Sequence, residues 1–136
     1  MKKVLVLCTG NSCRSQMAEA YLAKYSPGSR IVSAGIEKHG LNPRAVAILK
    51  EDGIDISDWR SKTIDEVDTS NLDIVITVCD NARESCPVLP GNHLYFHHSF
   101  PDPAKATGTE KEIMDQFRSV RDAVKKYCGE FAVSEL

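Results

Sequence analysis

The chain has 136 residues, 42% of them hydrophobic and 26% charged, with a net charge of −2 at neutral pH. That is enough chain to bury about two-thirds of its unfolded surface in one core, and a single domain over residues 1–136, acting as a monomer, is expected. Lysines and arginines are scattered among acidic residues without a basic stripe, which argues against nucleic-acid binding.

The opening Met-Lys-Lys precedes Val4 to Leu7, an apolar run too short for a secretory core and followed by no stop-transfer segment. It reads as the first strand of a cytosolic protein that stays off the membrane. Five cysteines in such a setting imply reduced thiols with redox or catalytic work rather than a disulfide framework. The strand delivers Cys8 into Cys8-Thr9-Gly10-Asn11-Ser12-Cys13-Arg14-Ser15, a Cys-x5-Arg loop. Beyond it, Gln16 to Tyr25 spaces Met17, Tyr21 and Leu22 along one helical face.

A loop in this position brings unpaired backbone N–H groups and the positive end of a helix onto any anion it encloses. Residues Thr9, Gly10, Asn11, Ser12, Cys13, Arg14 and Ser15 therefore read as a cradle for a tetrahedral oxyanion. Cys8 is the expected nucleophile, since cysteines beside Arg at helix N-termini have pKa values lowered to about 3.5–7.5. Arg14 offers a planar fork for bidentate binding of phosphate or arsenate oxygens. Ser15 can donate to the thiolate, and Gly10 and Asn11 tolerate the positive φ angles of such a loop.

A strand is predicted from Arg30 to Ala34, then a helix capped by Asn42, with Pro43 in its first turn, ending by Gly53. A second helical stretch is expected around Ile64 to Leu72, a strand over Ile74 to Val78, and a weaker strand at His93 to His97. The closing helix is placed at Thr109 to Tyr127, leaving Gly129 to Leu136 as a loosely held tail. This alternation predicts an α/β fold with a parallel sheet covered on both faces and a reaction site at the strands' carboxyl ends.

Cys79 ends the Ile74 to Val78 strand, so it belongs at the same sheet edge as Cys8, and Cys86-Pro87 follows seven residues later. If the intervening segment is helical, Cys79 and Cys86 lie about 10.5 Å apart along the axis, whereas a disulfide needs Cα atoms about 4.4–6.8 Å apart. Residues 80–85 would have to unwind before the two could bond, which describes a redox switch; the alternative is two buried packing cysteines. Asp102, stiffened between Pro101 and Pro103, is placed to protonate a leaving oxygen, or else caps a turn. His93, His97 and His98 show no metal-ligand spacing, and strand alternation sends His97 and His98 to opposite faces, so no metal site is read.

Taken together, residues 8–19, Ser33-Ala34-Gly35-Ile36, His39-Gly40 with Asn42-Pro43, Asp55-Ile56-Ser57, Cys79, Cys86-Pro87 with Leu89-Pro90, and Asp102-Pro103-Ala104 resemble the thioredoxin-coupled arsenate reductases of the low-molecular-weight protein tyrosine phosphatase superfamily. The resemblance covers nearly the whole chain. It implies a three-layer sandwich with a four-stranded parallel sheet flanked by helices. It also implies that Cys8 attacks arsenate held by the loop and Arg14 while Asp102 aids loss of hydroxide. Cys79 then attacks Cys8, releasing arsenite, and Cys86 attacks Cys79 to leave a disulfide for thioredoxin, with glutaredoxin the other donor class. Protein thiols supply both electrons, so no flavin or metal cofactor is demanded. Cys13 is expected to point away from the ligand, and Cys128 has no role in the scheme.

Some relatives bind potassium through residues matching Asn11, Glu19 and Ser33 plus an acidic residue where this chain has Lys62, whose ammonium can replace the ion. Pro101 replaces the acidic residue often found before the general acid. Two other readings stay open. A low-molecular-weight tyrosine phosphatase needs only Cys8, Arg14 and Asp102, and usually carries an aromatic residue where this chain has Ala104 and Lys105. A non-enzymatic arsenite or oxyanion sensor would use three thiols without turnover. Weak phosphatase activity is also expected from a cradle that accepts tetrahedral anions generally.

Overall fold

The run Val4-Leu5-Val6-Leu7 has no side chain that reaches water, and a strand apolar on both faces belongs in the middle of a parallel sheet. In the computed structural model, which describes residues 1–85, 89 and 91–136 with side chains at 83–85 excepted, this run forms β1 (Lys3–Cys8). It pairs in parallel with β2 (Arg30–Gly35) on one side and β3 (Ile74–Thr77) on the other, and β3 pairs in parallel with β4 (Leu94–His97). The order is β2-β1-β3-β4. All four residues of β3 are buried, whereas Leu94 and Tyr95 of the edge strand β4 are exposed. The central strands are thus covered on both faces, giving the three layers expected.

α1 (Arg14–Tyr25) packs on β2 and on α4 (Glu110–Glu135), which also carries α2 (Pro43–Glu51). α2 starts where predicted: the Asn42 side chain accepts the Arg44 N–H at 2.9 Å, and Pro43 occupies the first helical position. Tyr21, buried on α1, donates its hydroxyl to Asp52 at 2.7 Å, and Lys125 of α4 reaches the same carboxylate at 2.9 Å. One carboxylate therefore fastens α1 and α4 to the end of α2. A short helix, α3 (Asp80–Ser85), follows β3.

Two expectations are corrected. The helical stretch at Ile64 to Leu72 is only a 3-10 turn, Ile64–Glu66. Thr63 and Glu66 close a capping box around it, and then Asp68 turns the chain by accepting the Ser70 N–H, an alternative to helix that Asp offers the backbone. The tail from Gly129 is helical to Glu135. Phe117, Val120, Val124, Cys128 and Phe131 form one buried stripe at helical spacing, and Phe131 meets Phe96 edge-on with ring centres 5.0 Å apart. Gly129 costs a helix about 1 kcal/mol against alanine, less than that aromatic anchor returns.

Candidate active site

β1 ends at Cys8 and α1 begins at Arg14, so five residues turn the chain through a tight loop. Its carbonyls face outward, onto the segment that follows β2 and its neighbours. Cys8, Thr9, Gly10 and Ser12 accept backbone N–H bonds from Ile36, Glu37, His39 and Asn42 at 2.9–3.1 Å. The Asn11 carbonyl accepts from the Gln16 side chain at 3.1 Å. The Asn11 N–H is turned the other way, toward Cys8 Sγ at 3.2 Å, the orientation an anion cradle requires of its amides. The α1 N-cap, Cys13, makes no side-chain capping bond.

Asn11 is the keystone of the loop. It adopts φ 49°, a left-handed conformation asparagine accepts readily. Its fully buried side chain donates to Ser15 Oγ at 2.8 Å and Ser33 Oγ at 3.0 Å, and accepts from Gln16 at 3.0 Å and the Lys62 N–H at 2.8 Å. Gly10, by contrast, has no positive φ, which corrects the expectation. Glycine is needed there for space, because a Cβ would lie 2.3 Å from Nδ1 of the His39 ring. Gly35 is required for the same reason, its Cβ position falling 2.2 Å from the Glu37 carbonyl and 2.9 Å from the Asn11 nitrogen.

Cys8 Sγ lies 2.8 Å from Ser15 Oγ and accepts the Asn11 N–H at 3.2 Å, an arrangement that suits a sulfur bearing negative charge. Arg14 donates to the Phe100 carbonyl at 3.1 Å and lies 3.7 Å from Asp102 Oδ2. Asp102 Oδ1 accepts the Ala104 N–H at 3.0 Å. Asp102 is therefore at once a turn cap and a neighbour of Arg14, so the two readings of this residue are compatible. Across the opening, Cys79 Sγ lies 3.3 Å from Thr9 Oγ1 and accepts the Ala82 N–H at 3.4 Å; Asn81 donates to the same Thr9 oxygen at 3.1 Å. Thr9 thus couples the cradle to the first turn of α3.

Cys8, Arg14, Cys79 and Asp102 all line one cavity of about 650 Å³. Cys86 lies outside the described residues. Cys13 borders the cavity, but burial pushes its thiol up to about 12, so it remains protonated at neutral pH. Cys128 is likewise raised to about 12 by burial, and it is directed at the Ala18 carbonyl of α1. All four described cysteines are free. His97 and His98 do face apart: His97 bonds Thr77, while the His98 ring packs, tilted, against both Phe100 and Tyr127.

The matching residues behind the loop form a closed network. Glu19 accepts both the N–H and the hydroxyl of Ser33 at 2.8 and 2.7 Å. Burial raises the Glu19 carboxyl above its ordinary range, against the lowering pull of Ser33 and Lys62, whose ammonium caps the Arg60 carbonyl at 3.2 Å.

Residues 3–136 match the low molecular weight phosphotyrosine protein phosphatase family. The chain belongs to that family. Within this phosphatase family it is 49% identical over 132 residues to the arsenate reductase of Halalkalibacterium halodurans and 48% identical to that of Bacillus subtilis, each alignment covering 96% of this chain and 95% of the relative. Among solved structures it is similar to an arsenate reductase in the phosphate-binding state, with TM-score 0.80 and 31% identity over 98% of both chains. The low molecular weight protein tyrosine phosphatase of T. tengcongensis superposes at TM-score 0.81, with 25% identity over the full length of both chains.

Sequence spacing does not bring His39, Ser99 and Lys105 to the phosphatase-family cavity, yet all three line it. The His39-Gly40 pair is the signal that could have found His39, which is set beside the loop by its backbone N–H bond to the Gly10 carbonyl at 3.0 Å. Its ring is held by Glu37 at 2.7 Å. Ser99 and Lys105 arrive through the loops after β4, where local pattern carries no signal.

Proposed function

We propose that the protein reduces arsenate to arsenite by a relay of three thiols, Cys8, then Cys79, then Cys86, and that a thioredoxin restores the dithiol. The observation that carries this reading is two cysteines on one anion cradle: Cys8 at its base, and Cys79 at its edge, linked through Thr9. Phosphate-ester hydrolysis on such a cradle has no use for the second thiol. The names of the relatives support arsenate as substrate.

In this scheme Cys8 attacks arsenic held by the loop amides and the Arg14 fork, forming an S–As bond as hydroxide leaves with a proton from Asp102. The Cys79 thiolate then attacks Cys8 Sγ. The S–As electron pair stays with arsenic, which falls from the pentavalent to the trivalent state and departs as arsenite, leaving a Cys8–Cys79 disulfide. Cys86 attacks Cys79, Cys8 leaves as a thiolate, and the Cys79–Cys86 disulfide passes to the thioredoxin dithiol. Two thiols are oxidised for each arsenate reduced. Residues 1–136 act in this reading as one domain, a cytoplasmic monomer, with thioredoxin favoured over glutaredoxin because the two thiols needed for an internal disulfide are both present.

Arsenate-dependent NADPH oxidation with thioredoxin and thioredoxin reductase tests it, beside a glutathione–glutaredoxin system. Turnover with thioredoxin that is lost in Cys86→Ser supports the relay. No arsenate turnover with either donor, together with aryl phosphate hydrolysis that survives Cys86→Ser, moves the protein to the phosphatases.

A further inference from the structure

Cys79 is 3% exposed, and its sulfur is tied by the Ala82 N–H and by Thr9. Before Cys79 can reach Cys8, as the three-thiol reading requires, the first turn of α3 has to loosen. Thr9 holds that turn from the cradle side. The opposite side is held by a chain of bonds that the proposed chemistry does not use. Asp80, the first residue of α3, receives His97 Nε2 at 3.1 Å; His97 Nδ1 lies 2.7 Å from Thr77 Oγ1; and Thr77 Oγ1 lies 3.0 Å from the Tyr95 hydroxyl.

The hydrogen-bond roles along this chain follow from its two ends. An ionised Asp80 only accepts, so Nε2 carries the proton; in the neutral ring Nδ1 then accepts from Thr77, whose oxygen is free to accept from Tyr95. All four groups point the same way, and each bond polarises the next. The chain is anchored rather than loose, because Thr77 is fully buried in β3 and the His97 side chain is only 18% exposed. Asp80 itself is mostly exposed, so the tie to it is the breakable link, between a rigid sheet edge and a short helix.

We propose that His97 is a positioning residue that clasps the first turn of α3 to the sheet through Asp80, and so sets how readily Cys79 leaves its seat. The consequence for turnover rests on the three-thiol reading; the clasp itself does not.

Residue-resolved amide exchange on the reduced full-length protein tests the clasp, comparing wild type with His97→Ala, Asp80→Ala and the double variant. The Ala82 amide is the probe, because its bond to Cys79 closes the turn, and the Asn11 amide, bonded to Cys8, is the control. Each single variant should speed Ala82 exchange by roughly 5- to 10-fold, the loss of one hydrogen bond. The double variant should add nothing further, and Asn11 should not change. Ala82 exchange unchanged in Asp80→Ala, additive effects, or equal acceleration at Asn11 would overturn the clasp.

A second arm reads chemistry. In a Cys86→Ser background mixed with arsenate, the Cys8–Cys79 disulfide should form faster by the same factor in His97→Ala and in Asp80→Ala, with the arsenate KM unmoved in His97→Ala, since Asp80 itself lines the cavity. If the background protein forms no such disulfide, the relay fails while the exchange result still decides the clasp. A disulfide that forms at the same rate with and without His97, while Ala82 exchange has accelerated, overturns the role of the clasp in gating Cys79.

Discussion

Asn11 carries more of the site than its small side chain suggests, because four of its hydrogen bonds hold the loop while its backbone N–H is aimed at Cys8. In the proposed mechanism Arg14 has a different task, to present a planar fork. Arg14→Lys keeps the charge and loses the second parallel bond, worth about 1.5–3 kcal/mol for a charged pair. The expected fall in arsenate kcat/KM is roughly 10- to 150-fold with little change in melting temperature, measured by initial rates and calorimetry. Glu19 gives a prediction in pH. Its folded carboxyl binds a proton more tightly than the unfolded one, because burial outweighs the Ser33 and Lys62 contributions. Stability from this group is therefore highest below the ordinary carboxylate range and declines as pH rises through the raised value. Glu19→Gln lacks that component, so its advantage over wild type in urea unfolding should shrink as pH falls across that window; a constant difference would contradict it. With Lys62 already beside Glu19, arsenate turnover should not respond to potassium at fixed ionic strength, and a clear rise would refute this.

At the scale of elements, the C-terminal helix depends on an anchor near its end. Phe131→Ala removes a ring that is 5% exposed and packed on Phe96 and Tyr127. The expected loss is about 3–5 kcal/mol in urea unfolding, and residues beyond Tyr127 should exchange their amides first. This helix end was hidden in the sequence because Gly129 reads as a stop, while the partner that overrides it, Phe96, lies on an edge strand more than thirty residues earlier. The Ile64 to Leu72 stretch misled in the opposite way: its apolar residues have helical spacing, but Asp68 and Ser70 give the backbone a competing turn. β1 and β3 were legible because they are buried on both faces, and α2 because Asn42-Pro43 is both cap and first turn. The loop was legible as a cradle from its place between a strand and a helix. Its outer wall depends on contacts across tens of residues that no local pattern encodes: Asn11 reaches Ser33, and the Gly10 carbonyl accepts both the Ser61 hydroxyl, at 2.8 Å, and the His39 N–H.

For the whole molecule, a parallel sheet gathers the carboxyl ends of its strands at one edge. β1 delivers Cys8 there, Cys79 follows β3 after Val78, and the chain leaving β4 brings Phe100 and Asp102 to Arg14. The order β2-β1-β3-β4 sets β1 beside β3, so Cys8 and Cys79 lie at the carboxyl ends of adjacent strands. The central claim is that electrons leave this edge through Cys79 and Cys86. The most direct measurement is a single turnover of the fully reduced protein with limiting arsenate and no external reductant, followed by acid quenching and non-reducing peptide mapping. One arsenite per chain and a single new disulfide between Cys79 and Cys86 is the expected outcome. Arsenite formed with those two thiols still reduced, or oxidation that joins Cys8 to Cys13 instead, would contradict it.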